Sequence, residues 1–380
     1  MIVLFNGGRR MSDCENLKRK NGQELHCNYV IFDDMRNEFY RTTLKDLYGY
    51  SNVIVKNPPL GDEPAIIRAL YRVHVSDHFD KFINLPFKSL WNKKLAENSF
   101  DDSKPICFFF SSGMYYARRL GFFEYLKKEY PGCKLVFCCR DLFSLFKERY
   151  RNFDEQYVKD TFDLILNYDI REVKKHGLVF YPDFESTVNI GDGGGEGTDV
   201  VFVGAAKNRL NLILQTYEVL DKAGLACDFN ITEVEDEQIK AKYPRINFMD
   251  KWMPYHEVLD RIARSRCILE IIQDNSVGWS ARAMKAFMYN KKLITNAKAV
   301  RYTRFFDGKD VQYFESPDTI DTDAIKDPAM PDFRYNGEYS PRSVLQYVDE
   351  MLCNDTTQTQ FFSDWLNLES YCNQLADSNG

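Results

Sequence analysis

Residues 191–213 read GDGGGEGTDVVFVGAAKNRLNLI. Five of the first seven are glycine, which loses too much backbone freedom on ordering to settle in a helix or strand, so 191–197 reads as a linker. Val200–Val203 is an apolar, β-branched run that reads as a buried strand; it ends at Gly204, and helical periodicity opens at Asn208. Strand, glycine turn and helix in that order form the first half of a βαβ unit.

The same alternation runs outward in both directions. Before the linker, strands are expected at Ile2–Phe5, Tyr29–Phe32, Val53–Val55, Ile106–Phe110, Leu135–Cys139, Leu164–Leu166 and Leu178–Phe180. Helices are expected between them at Glu38–Tyr48, Glu63–Val73, Phe82–Leu95, Met114–Glu129, Leu142–Tyr150 and Ile170–Lys175. After it come strands Val200–Val203, Cys227–Ile231, Ile246–Phe248, Cys267–Ile272 and Lys292–Thr295, with helices Asn208–Ala223, Tyr255–Ala263 and Ala281–Tyr289. The fold class is therefore α/β, with two Rossmann-like halves in tandem. The expected division is 1–190, a linker at 191–199, a second domain at 200–340 and C-terminal helices at 341–380.

Composition bounds the function. The 380 residues are 44% hydrophobic and 28% charged, an ordinary globular mixture too long for one small core. Fifty basic against 56 acidic residues give a net charge of −6, without the basic surplus of a nucleic-acid binder. The first 190 residues carry a basic surplus of three and the remainder an acidic surplus of nine, which suits a phosphorylated acceptor or an anionic membrane surface near the first half. No run of 18 to 20 apolar residues is present, and MIVLF is too short for a signal-peptide core, so a cytoplasmic chain, in peripheral contact with the membrane at most, is expected. The ten cysteines sit mostly in apolar runs such as PICFFF and LVFCCR and read as reduced, buried thiols. Adjacent Cys138 and Cys139 lack zinc-ligand spacing, and no metal site is expected.

Ligands of open parallel sheets bind at the carboxyl ends of strands. At one such end stand Gly204, Lys207 and Arg209, a glycine and two cations at the opening of a helix, suited to a diphosphate. At another, ILEIIQDNSVGWSARAMK (268–285) puts Glu270 inside an apolar strand, where a carboxylate needs partners, and follows it with Gln273, Asp274, Asn275, Gly278, Trp279 and Ser280. Ser280 is an expected helix cap, with Arg282 and Lys285 on one face of the helix it starts. A buried Glu270–Arg282 ion pair is the structural alternative.

These two segments, with FDLILNYDIREVKKHGLVFYP (162–182), resemble the GT-B glycosyltransferases, in particular the bacterial group that assembles surface polysaccharide and lipopolysaccharide. In the third segment Asp169 opens a short helix and Tyr181-Pro182 leads into the interdomain linker. The resemblance implies two domains facing across a cleft, a nucleotide-sugar donor held mainly by the second, and C-terminal helices that cross back to the first. It implies Gly204, Lys207 and Arg209 near the donor diphosphate, and Glu270, Gln273, Gly278, Trp279, Ser280 and Arg282 around sugar and phosphates. The nucleotide-sugar is a co-substrate, and no further cofactor is implied. Many relatives carry a ribose-binding Glu where this chain has Lys285, and a lysine accepts no hydrogen bond.

The first domain would hold the acceptor, a glycan or lipid-linked glycan, at Gly7, Gly8, Arg9, Ser111, Ser112 and Gly113. Asp33, Asp34 and Asp141 are the candidate bases for its hydroxyl, and Glu270 is a fourth catalytic carboxylate. A nucleotide-sugar epimerase and a catalytically silent sugar-binding module are the alternative readings.

Overall fold

The computed structural model describes residues 24–35, 37–58, 63–76, 87, 89–100, 103–150, 153–191, 197–273, 276–353, 358–363 and 366–377. The expected strand Ile2–Phe5, the cleft residues Gly7, Gly8 and Arg9, and Asp274 and Asn275 lie outside them, as do linker residues 192–196.

Among the described residues twelve strands form two sheets of six. The first holds β1 (Asn28–Phe32), β2 (Val53–Lys56), β3 (Ile106–Ser111), β4 (Lys134–Cys139), β5 (Leu164–Asn167) and β6 (Val179–Phe180), in the order β2-β1-β3-β4-β5-β6. The second holds β7 (Thr198–Ala205), β8 (Cys227–Thr232), β9 (Asn247–Met249), β10 (Ser265–Glu270), β11 (Lys292–Thr295) and β12 (Val311–Tyr313), in the order β12-β11-β10-β7-β8-β9. Every neighbouring pair is parallel, so both faces of each sheet need cover. This explains why strands such as KLVFCC are apolar almost throughout rather than alternating. The cover comes from amphipathic helices; Leu210–Lys222, for example, buries Ile213, Leu214, Tyr217 and Leu220 along one stripe. The molecule is α/β with two Rossmann-like domains.

Several expected elements differ in detail. Met114–Glu129 is not one helix but a 3-10 turn, Ser112–Leu120, and a helix, Phe122–Glu129, because Gly121 between them is left-handed at φ 62°. Leu142–Tyr150 is likewise a 3-10 turn, Phe143–Leu145, running into Phe146–Arg149. Helices Glu155–Thr161, Glu237–Lys242 and Thr322–Lys326 and strand β12 were not expected from the sequence.

The C-terminal helices cross back to the first domain. Helix Pro341–Cys353 lies against the start of β1, where Asp349 accepts hydrogen bonds from the backbone N–H groups of His26 and Cys27 (3.3 Å for Cys27) and from the Tyr29 hydroxyl (2.5 Å). Phe180 and Tyr181 pack on Phe362, Tyr371 and Tyr347. No helix among the described residues is long and apolar enough to cross a membrane.

Between β6 and β7 the chain is irregular but buried, and Tyr181, Phe184, Glu185 and Ser186 are almost fully covered. Backbone N–H of Ser186 donates to the Thr43 carbonyl at 2.9 Å, and the Ser186 hydroxyl accepts from the Asp46 backbone N–H at 2.8 Å. Burial there pushes the Asp46 carboxyl up to about 6 from 3.8, with the Thr187 N–H opposing the rise. The folded state thus holds this proton more tightly than the unfolded chain. Its stabilising contribution is full below about pH 4 and is lost as the pH rises through about 6. Asp46→Asn is therefore expected to exceed the parent in stability by about 1–3 kcal/mol at neutral pH and to match it near pH 4, as read by urea titration at the two pH values.

Candidate functional site

In each sheet one pair of adjacent strands sends its following helices to opposite sides, which opens a crevice at their carboxyl ends. In the first sheet the pair is β1 and β3, followed by Asp33-Asp34 and by Ser112-Gly113 after Ser111 ends β3. In the second it is β7 and β10, whose ends carry Gly204 through Lys207 and Glu270 through Gln273. Of the candidates chosen from the sequence, Asp33, Asp34, Ser111, Ser112 and Gly113 stand at the first switch point and Gly204, Lys207, Glu270 and Gln273 at the second, while Asp141 follows β4.

Arg282 is the centre of the second crevice. Its Nε donates to the Val203 carbonyl at 2.9 Å and its guanidinium lies 5.2 Å from the centre of the Phe202 ring. Gly204 makes room for it: a Cβ there would stand 3.3 Å from Cζ of Arg282 and closer still to Nη2. The glycine therefore accommodates a protein cation, where the sequence reading had it admit the ligand's approach. Arg209 is buried alongside and donates to the carbonyls of Ala205 (3.1 and 3.3 Å) and Ile271, which ties the β7 end to the loop after β10. Burial, and then the neighbouring Arg209, bring the Arg282 guanidinium down to about 10. Both Arg282 Nη groups lack an acceptor among the described residues. Lys207, exposed and left-handed at φ 46°, stands at the same strand end.

Glu270 does not pair with Arg282 and does not face an open site. It is fully buried; Oε1 accepts from the Ser280 backbone N–H and hydroxyl, both at 2.6 Å, and Oε2 accepts from the Thr295 hydroxyl at 2.7 Å. With its oxygens so engaged it anchors the start of helix Ala281–Met288 instead of serving as a catalytic carboxylate. Ser280 caps that helix as expected, receiving the Arg282 N–H at 3.2 Å. Gln273 is half-buried in the loop after β10, and its carbonyl accepts from Ser276.

Three further expected donor residues point elsewhere. Trp279 is 3% exposed, with Tyr339 and Tyr371 of the C-terminal segment around it. Gly278 abuts Tyr168 of the first domain, whose carbonyl would be 3.1 Å from an added Cβ. Lys285 is buried and its Nζ donates to Glu185 Oε2 at 2.6 Å and to the Ala281 carbonyl.

Across the cleft, Asp33 is 4% exposed and accepts from the Asp34 N–H at 2.8 Å and from the Ser111 side chain. Burial raises its pKa above the ordinary carboxylate value, against the pull of Arg140. Arg140 donates from Nε to Asp183 at 2.5 Å and from Nη2 to the Phe184 carbonyl at 2.9 Å, while its buried Nη1 has no acceptor among the described residues. A cavity of about 10 Å³, room for no more than one water, lies beside it, lined by Cys138, Tyr168, Tyr181 and Asp183 among others. Asp34 and Asp141 are half-buried nearby, Ser112 begins the 3-10 turn, and Gly113 is exposed.

The domains meet through bonds that sequence reasoning missed. Glu38 accepts from the Tyr255 N–H at 2.8 Å and lies 3.0 Å from His256 Nδ1, so a carboxylate of one domain caps a helix of the other. Asp169, cap of helix Ile170–His176, accepts from the Val277 N–H at 3.0 Å with its second oxygen. The Tyr255 hydroxyl donates to Glu185, which thus receives both Tyr255 and Lys285. The signal for Asp169 was its N-cap pattern; nothing in the sequence pairs Glu38 or Glu185 with residues some 70 to 220 positions away.

No protein-family model matches the sequence, and no curated protein matches it. Solved structures similar in shape include an alpha-glucosyltransferase in complex with UDP-glucose and DNA containing an abasic site, 12% identical, covering 85% of this chain and 92% of that one at a TM-score of 0.47. Another is HepE of Anabaena in complex with UDP and glucose, 12% identical, covering 86% and 99% at a TM-score of 0.49. A third is S. aureus MnaA with UDP, 9% identical, covering 71% and 79% at a TM-score of 0.37.

The Glu185–Lys285 pair yields a stability test. Lys285→Met strands a buried carboxylate and is expected to cost about 3–5 kcal/mol in urea unfolding, whereas the double variant with Glu185→Gln recovers most of it.

Proposed function

We propose that this protein is a glycosyltransferase that takes a sugar from a nucleotide-sugar and transfers it to a glycan or lipid-linked glycan in surface-polysaccharide assembly. The observation that carries the reading is Arg282: a guanidinium with unused donors, beside a second buried arginine, at the switch point of the second sheet. Two buried guanidiniums side by side, with Glu270 near both but making no ion pair with either, form a ready site for a diphosphate. Arg282 and Lys207 would meet the charge that develops as the bond from the sugar's anomeric carbon to the diphosphate oxygen breaks. Arg209, with its donors spent on carbonyls, would hold the loops in place and add positive field.

Asp33 is the best placed of the three aspartates to accept the acceptor's hydroxyl proton while the new bond to the anomeric carbon forms. Burial has already raised its proton affinity, and the Ser111 side chain orients it. The Arg140 Nη1 group would give the acceptor a hydrogen-bond donor. The proposed reaction needs no cofactor besides the donor.

A lipid-linked acceptor draws support from the surface of the first domain. Of seven large apolar side chains that stand well exposed among the described residues, four are Ile66, Leu70, Phe87 and Leu90. Helices Ala65–His74 and Ser89–Ala96, joined by the Tyr71–Trp91 ring contact, carry three of them together with exposed Arg72 and Lys93. Apolar groups ringed by cations suit an anionic lipid surface.

A thermal-shift screen with UDP, GDP, CMP, ADP and dTDP tests the donor site: at least one is expected to raise the melting temperature, and Arg282→Ala and Gly204→Ala should each abolish that shift. Failure of every nucleotide would overturn the reading; a shift with no transfer or hydrolysis of the matching nucleotide-sugar would favour the silent binder. Vesicle co-sedimentation tests the surface: Ile66→Glu with Leu90→Glu is expected to lower binding to anionic vesicles at least tenfold without changing the nucleotide shift.

A further inference from the structure

The structure also holds a cluster far from either crevice in function, at the joint between the first strand and the crossing helix. Cys27 immediately precedes β1 and is buried; Cys353 is the last residue of helix Pro341–Cys353 and is exposed. Their sulfurs are 4.0 Å apart, and a carboxylate oxygen of Asp349 completes a set of three atoms that all lie within 4.8 Å of one another. The three residues come from chain segments more than 320 positions apart, so only the fold assembles them.

We infer that Cys27, Cys353 and Asp349 form a three-ligand zinc site that clasps the C-terminal crossing helix to the first domain. Two sulfurs bound to a tetrahedral zinc at about 2.3 Å stand roughly 3.8 Å apart, so the observed spacing needs little adjustment. Thiolate and carboxylate ligands in this number select a borderline-soft divalent cation over calcium or magnesium. Asp349 is 3% exposed and forms no salt bridge among the described residues; its bonds come from two backbone N–H groups and a tyrosine hydroxyl. The neutral hydrogen-bond donors on Asp349 would orient it as a ligand, and a cation would add the ion pair that its hydrogen bonds do not supply. Binding releases the two thiol protons, leaving two thiolates, one carboxylate and Zn²⁺ with a net charge of −1, and Arg342 lies within electrostatic reach of Asp349 to offset it. The exposed Cys353 gives the metal an entry path, and a water would be the fourth ligand.

The test uses the full chain, purified without a metal-affinity tag and kept reduced. Incubation with Zn²⁺ followed by desalting is expected to leave one equivalent by metal analysis and to raise the melting temperature by several degrees. Co²⁺ in its place is expected to give a near-ultraviolet thiolate-to-metal charge-transfer band. Cys353→Ser, at an exposed position that folding tolerates, should lose the band and the thermal shift, whereas Cys372→Ser should keep both. Cys27→Ser, checked for native circular dichroism, should behave as Cys353→Ser does. Absence of metal uptake, or uptake unchanged in Cys353→Ser, overturns the site. A reduced chain that takes up no metal but forms a Cys27–Cys353 disulfide on mild oxidation, seen by peptide mapping, overturns it in favour of a redox staple.

Discussion

Glu185 is completely buried in an irregular segment between two sheets, and a buried charge persists only when its surroundings satisfy it. The Lys285 ammonium does so from helix Ala281–Met288 beside the second crevice, and the Tyr255 hydroxyl does so from the helix that Glu38 caps across the cleft. One carboxylate therefore joins the interdomain segment to two helices of the second domain, one of which is bonded to the first. Separating these parts would leave a charge in a low-dielectric interior. The pairing thus couples the segment, the Ala281–Met288 helix and the cleft wall, because removing one partner strands a buried charge.

The same helix carries Arg282, so the pairing also fixes the cation at the crevice. One face of the helix is spent on structure, with Lys285 on Glu185 and Met284 and Phe287 in the core. Its first turn is held by Glu270 through Ser280. What remains is a guanidinium wedged against a glycine, near another guanidinium, with Nη donors that no acceptor among the described residues fills.

The strand–helix alternation was legible in the sequence because parallel strands buried on both faces are short apolar runs, while their covering helices show a 3.6-residue stripe. Boundaries slipped where a single residue overrode the pattern, as left-handed Gly121 does in splitting Met114–Glu129. The charged helices Glu155–Thr161 and Glu237–Lys242 escaped notice because they bury too little to leave a stripe. At the site, Gly204, Arg209, Ser280 and Arg282 were legible as strand-end and cap residues whose position follows from local structure. Glu270, Trp279 and Lys285 were named for a ligand but serve the protein, since Thr295, Tyr371 and Glu185 claim them first.

The sequence by itself determined the two α/β halves, the strand ends where polar residues gather, and the capping of the helices that begin there. These rest on interactions within about ten residues, which periodicity and cap chemistry report directly. Only the tertiary structure decided which of those polar groups stay unspent, because a buried polar group takes whichever partner the fold brings within about 3 Å, however far along the chain that partner lies.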